Sequence, residues 1–136
     1  METRELDLDT GTRPGLTDLT GECVRFLADV DAGDGLLTVF VPHATAGVVV
    51  CELGAGSDED LLDALDRLLP HDDRWRHAHG SPGHGADHVL PLLASPSLTV
   101  PVIGGRMTLG TWQSIALLDP NRDSPRRTVQ LSFLAG

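Results

Sequence analysis

Five of the six histidines in this 136-residue chain fall between positions 71 and 88: His71, His77, His79, His84 and His88. Four of them sit in RHAHGSPGHGADH, a stretch dense in Gly, Pro and Asp. Imidazole is the commonest protein ligand for borderline transition metals and titrates near neutral pH, so such crowding points to a metal site or an acid/base site. His77 and His79 are one residue apart and would face the same way on a strand. His84 and His88 are i, i+4 and would share one face of a helix. Either pair supplies two ligands, and His43 stands between two apolar runs that could hold it rigidly. Three histidines around one open position suit catalytic zinc or a similar ion. Asp72 or Asp87 could orient such a ligand from behind. The plainer alternative is a loop of solvated histidines, and spacing alone does not choose between the two.

Other side chains carry weaker signals. Glu52 ends the apolar run VVVCE, where a carboxylate near a metal could serve as general base; the bland reading is a surface acid. Arg106, Arg122, Arg126 and Arg127 gather towards the C-terminus, and arginine forks recognise phosphate or carboxylate in pairs of hydrogen bonds. Charged hairpin tips would look the same. Trp112, in LGTWQ, could stack on a ring but reads more simply as a core residue of a strand, with Thr111 and Gln113 as polar handles beside it.

The absences are informative. The chain has ten arginines and no lysine, which excludes a Schiff-base nucleophile, a lysine-bound pyridoxal cofactor and a P-loop lysine. A net charge of -10 argues against general nucleic-acid or anionic-membrane binding. Apolar runs such as VVVC are too short to span a bilayer, and METRELDLDT has no signal-peptide pattern, so a cytoplasmic location is expected. Cys23 and Cys51 read as small core residues rather than a disulfide.

These groups must be held by a scaffold. RELDLD alternates as a first strand. The spacing of Leu19, Cys23, Phe26, Leu27 and Val30 predicts a helix over 17–30 with Thr17 as its cap. LLTVFVPHATAGVVVCE reads as two strands joined near Pro42 to Ala46. Ser57 to Leu69 is the clearest helix, with Ser57 as cap, acids in its first turn, an apolar leucine face and Pro70 as its stop. A short helix from Asp87 to Ala94 is limited by Pro91. SLTVPVI, RMTLGTWQSIALL and RTVQLSFLA read as strands, with Gly-Gly and NRDSPR turns between them. Strands thus enclose a helical and loop insertion. The expectation is one α+β domain over residues 1–136, with a mixed, largely antiparallel sheet and two main helices.

Taken in order, HATAGVVVCE, the leucine helix ending at Pro70, RWRH, GADH, GGRMTLGTWQSIAL and SPRR resemble the YjbQ-like family, often labelled secondary thiamine-phosphate synthase. The most specific element is Gly105, Arg106, Leu109, Gly110, Thr111, Trp112, Gln113 and Ile115. The resemblance covers nearly the whole chain. It implies a YjbQ-like fold, a homotrimer with sites near subunit boundaries, and a histidine set for a divalent metal ion, zinc being the favoured one. The matching positions are His43, His77 and His88 for the metal, Glu52 for the strand-end acid, and Arg106, Arg126 and Arg127 for the arginines. The family usually carries Asn and Ala where this loop has His84 to Asp87, and an aromatic-acidic-Asp-Gly turn is here DPNRDSP.

The function expected from these readings is that of a metal-binding enzyme acting on a small phosphorylated metabolite, including a weak thiamine-phosphate synthase activity. It would be a transferase of that kind or a metal-dependent hydrolase. Glu52 and Arg106 would be catalytic, with Arg126, Thr111, Trp112 and Gln113 at the substrate. The alternative is a trimer that binds metal or ligand without turnover.

Overall fold

The computed structural model describes residues 1–120 and 122–136, so the expected NRDSPR turn lies partly outside the described residues at Asn121. The elements run β1 (Glu2–Asp9), β2 (Gly15–Asp18), α1 (Thr20–Asp29), β3 (Gly35–Phe40), β4 (Gly47–Cys51), α2 (Ser57–Leu68), α3 (Gly85–Val89), a 3-10 turn (Leu90–Leu92), β5 (Ser97–Ile103), β6 (Arg106–Met107), β7 (Ser114–Asp119) and β8 (Arg126–Ala135). The class is α+β, as expected. The strands divide between two sheets, in the orders β1-β8-β3-β5-β6 and β2-β7-β4. All their pairings are antiparallel.

Alternation along the strands sets the layers. In the larger sheet, Leu37, Val39, Val100, Val102, Val129, Leu131 and Phe133 turn inward. They meet Cys23, Phe26 and Leu27 of α1 and Val48, Ile115 and Leu117 of the smaller sheet in one core. The smaller sheet has a second apolar face. Leu16, Val49 and Leu118 there pack with Leu62 and Leu65 of α2 and with Leu69, Trp75, Ala86, Leu90 and Ala94. Cover on both faces explains why Ile115 to Asp119 are all buried, a run rather than an alternation. The insertion between β4 and β5 is therefore a lid on the smaller sheet, and it carries the histidines.

Three expectations change. The helix expected from Thr17 starts at Thr20, because Thr17 is in β2 opposite Leu117 and strand pairing outweighs the helical spacing. The cap position is Leu19, and Asp18 just before it accepts the Thr20 N–H at 2.8 Å. At α2, the cap position is Gly56 in a left-handed conformation rather than Ser57, while the Asp58 carboxylate accepts the Gly54 N–H at 3.1 Å. Finally, RMTLGTWQSIALL is not one strand. β6 and β7 belong to different sheets, so the chain must leave one layer for the other. It does so through a turn in which the Gly110 N–H donates to the Gln113 side-chain oxygen at 2.8 Å and the Gln113 N–H to the Gly110 carbonyl at 3.0 Å. Trp112 sits on that turn, 74% exposed, and is not a core residue.

Candidate functional site

The histidine loop is folded back on the end of α2. The Trp75 indole N–H donates to the Pro70 carbonyl at 2.8 Å, and the ring joins the apolar face under the smaller sheet. The helix α3 then comes unusually close to the loop at Gly85. A Cβ there would lie 2.4 Å from Trp75 Cβ and 2.8 Å from the His77 carbonyl oxygen. Only glycine permits that approach. It brings His84 and His88, one turn apart at the start of α3, against His77 and His79 of the loop.

Four imidazoles converge there. Ring centroids are 4.0 Å apart for His77 and His79, 4.0 Å for His77 and His88, and 4.8 Å for His84 and His88. The Nε2 atoms of His84 and His88 are 3.1 Å apart. His77, His79 and His84 each offer a ring nitrogen within 4.8 Å of the others. His77 Nε2 is buried with no hydrogen-bond partner. A buried, unpartnered imidazole nitrogen among three others suits a cation better than a packed core. Tetrahedral bonds of about 2.0 Å separate neighbouring donors by about 3.3 Å, close to the His84–His88 spacing. A cleft of about 400 Å3 opens beside the group, lined by Trp75, His77, Gly80, Ser81, Pro82 and His84 among others.

The electrostatics favour free lone pairs. Burial pulls the His77 imidazole below the ordinary histidine range, and positive charge on His79 and His84 pulls it further. Burial lowers His88 likewise, followed by His77, His84 and His79, with Asp87 opposing them. Imidazoles that resist protonation are the form a metal ion binds. Behind the cluster, Asp87 is 1% exposed and its Oδ1 lies 2.6 Å from His71 Nε2.

The same chain architecture recurs in known proteins. A model of the UPF0047 protein YjbQ-like family matches residues 4–136. The chain belongs to the UPF0047 (YjbQ-like) family. A UPF0047 protein of Mycobacterium tuberculosis is 62% identical over 136 residues, covering 100% of both chains. The UPF0047 protein YugU of Bacillus subtilis is 32% identical, covering 96% of this chain and 98% of its own. Among solved structures, a hypothetical protein of Aeropyrum pernix matches with a TM-score of 0.90 at 34% identity, covering 100% of both chains.

In this UPF0047 chain, the residues expected to form one site fall in several places. His77 and His88 are together, as expected. His43 is on the β3–β4 connection, where its Nε2 accepts the Thr128 N–H at 2.9 Å, and it makes no ring contact with the four clustered imidazoles. Glu52 is exposed beyond β4 and lines a separate hollow with Cys51, Ser57, Asp60 and Leu61. Arg106 is exposed on β6, and Thr111, Trp112 and Gln113 are exposed on the following turn. Arg126 is exposed at the start of β8, beside Asp7, Leu8 and Asp9. Arg127 is no free anion fork. It is buried, donates to both Asp119 oxygens at 2.8 and 3.0 Å, and donates to the Thr45 hydroxyl at 3.1 Å. Apart from His77, none of these residues lines the histidine cleft.

The expectation that centred on His77 and His88 undervalued their neighbours. His79 and His84 belong to the cluster, and His71, outside it, is tied to Asp87. Of the two aspartates considered for orienting a ligand, Asp72 instead pairs with Arg74, from whose side chain it accepts hydrogen bonds at 2.7 to 3.0 Å. The i, i+4 spacing of His84 and His88 already pointed to their pairing. Nothing local indicated Asp123, which reaches the loop from the β7–β8 connection.

Proposed function

We propose that this protein is a metal-binding enzyme acting on a small phosphorylated metabolite, with a divalent ion held by His77 and His88 together with His84 and His79. The observation that carries this reading is the convergence of four imidazoles around a buried, unpartnered His77 Nε2. An all-nitrogen donor set favours zinc over magnesium or calcium. A bound divalent ion would supply Lewis acidity at a phosphoryl oxygen or an activated water.

The chain's own groups would do the rest. Arg106 and Arg126 are exposed guanidinium forks suited to holding phosphate. Thr111, Trp112 and Gln113 present polar and stacking surface on one exposed turn. Glu52 would move the proton. Because these residues lie outside the histidine cleft of a single chain, the reading includes assembly as a homotrimer, with neighbouring chains completing each site. Exposed Trp112, Leu36 and Leu134 are surfaces such assembly would cover. Within this reading, the resemblance to secondary thiamine-phosphate synthases suggests the joining of a thiazole phosphate to a pyrimidine diphosphate. Arginine and metal charge would stabilise the departing pyrophosphate.

A second reading has its own support. The two carboxylates nearest the clustered imidazoles are both engaged: Asp87 is buried and tied to His71, and Asp123 accepts the Ser81 N–H, so no free general base stands at the cluster among the described residues. A trimer that binds metal or ligand without turnover fits that arrangement.

Metal analysis of protein purified without chelator or affinity tag tests the common premise. One divalent ion per chain is expected, with loss in His77→Ala and His88→Ala; no stoichiometric ion in the unmodified protein overturns it. Glu52→Gln then separates the two readings. Turnover of the thiazole and pyrimidine substrates should fall about 100-fold or more if Glu52 is a general base. Unchanged turnover removes it from that role, and no turnover in the unmodified protein favours the binding reading.

A further inference from the structure

We infer that Asp123, from the β7–β8 connection, and Asp87, from α3, together position His84 for metal binding, locking it as the Nδ1–H tautomer with its Nε2 lone pair turned to the cluster. This inference rests on the metal-binding reading above. His84 is only 7% exposed, and its two ring nitrogens face opposite chemistries. Nε2 lies 3.1 Å from His88 Nε2. Nδ1 is buried and makes no hydrogen bond of ordinary geometry; it lies at ion-pair distance from two carboxylates, 3.2 Å from Asp123 Oδ2 and 3.4 Å from Asp87 Oδ2. Carboxylates only accept hydrogen bonds at neutral pH, so the proton on this ring belongs on Nδ1.

Both carboxylates are themselves held. His71 anchors Asp87 Oδ1, leaving Oδ2 buried with no hydrogen-bond partner and 3.4 Å from His84 Nδ1. Asp123 Oδ2 also accepts the Ser81 N–H at 3.0 Å, so one carboxylate bonds the backbone of the histidine loop and stands at ion-pair distance from the His84 ring. Room for that grip is provided at Gly80, where a Cβ would lie 2.5 Å from Asp123 Oδ2 and 3.2 Å from the His84 ring. A carboxylate behind a ligating histidine fixes its ring and raises its basicity. Here two carboxylates stand behind His84, one of them from a connection far away in sequence, so the placement of Asp123 and metal affinity are linked.

Two measurements on the full chain test this. In metal-free protein, long-range 1H–15N correlation of the histidine rings should show His84 as the Nδ1–H tautomer; the Nε2–H tautomer overturns the inference. Zinc affinity, read by competition with a chromophoric chelator, should fall about 10- to 100-fold in Asp123→Asn and in Asp87→Asn. Asp123 lies on the surface, so its variant keeps the test open if the buried Asp87→Asn fails to fold. Unmodified protein that binds zinc while Asp123→Asn binds equally well overturns the positioning role alone. Unmodified protein that binds no zinc overturns the metal reading and this inference with it.

Discussion

The guanidinium of Arg127 donates to both carboxylate oxygens of Asp119, and the two residues are almost wholly buried, 4% exposed each. The pair ties β8 to β7 and so joins the two sheets. Thr45 accepts from the same guanidinium, and the Thr10 hydroxyl donates to Asp119 at 3.0 Å. Removing one partner strands a buried charge, which costs about 3–5 kcal/mol. Arg127→Ala should therefore lose about that much in urea unfolding. The double variant Arg127→Met/Asp119→Leu should lose less than the sum of its two singles. Additive losses would show that the two groups act independently.

His43 gives a pH dependence of definite sign. Burial holds its imidazole below the ordinary histidine value, and the Arg127 charge adds to this. The Thr128 N–H bonded to its Nε2 also requires an unprotonated nitrogen there. With the folded value depressed, the unfolded chain takes up the proton first as pH falls below about 6.5. The stability contributed by His43 is full above that pH and declines below it, until the folded form is protonated too. Unfolding measured from pH 8 to 5 should lose part of its acid slope in His43→Gln. NMR titration of the His43 ring should give a midpoint under 6.5; a midpoint above it reverses the sign and refutes the argument.

The two cysteines should differ in reactivity. Cys23 is fully buried in the main core, and burial with the nearby charges of Asp18 and Glu22 pushes its thiol up to about 12. Cys51 is half-buried at the end of β4, its thiol raised less strongly, again by burial first. Thiolate is the reacting form, so a disulfide reagent at pH 8 should label Cys51 slowly and Cys23 only after denaturation. Labelling of Cys23 ahead of Cys51 in native protein would contradict this packing.

How far these relationships could be read in the sequence depends on how local they are. β1, β3, β4, β5 and β8 follow from alternation or short apolar runs between turn residues, and α2 from its leucine spacing and Pro70. Thr17 falls outside the helix because the helical spacing from Leu19 onward continues smoothly into a segment that β7 claims as a strand. Trp112 reads as a core residue in sequence because a change of layer leaves no local mark beyond Gly110. At the histidines, the types were visible and the partners were not. His84 with His88 is an i, i+4 relationship, whereas Ser81 with Asp123 spans 42 residues and depends on tertiary packing.

Gly85 links that packing to the site. Its backbone runs so close to the loop that a methyl group would meet Trp75 Cβ at 2.4 Å and the His77 carbonyl at 2.8 Å. Neither neighbour yields easily: one is a carbon at the root of a large ring that packs under the smaller sheet, the other is backbone. Gly85→Ala should therefore push α3 and the His77 loop apart. Overpacking of this kind costs about 1–3 kcal/mol. The displacement also separates His84 and His88 from His77, so metal affinity should fall along with stability. His79→Ala is the fitting comparison, since His79 is exposed and its loss should weaken binding with little change in unfolding. Chelator competition and urea unfolding on both variants check the pair. Full stability and affinity in Gly85→Ala would mean that the close approach at residue 85 does not set the spacing of the imidazoles.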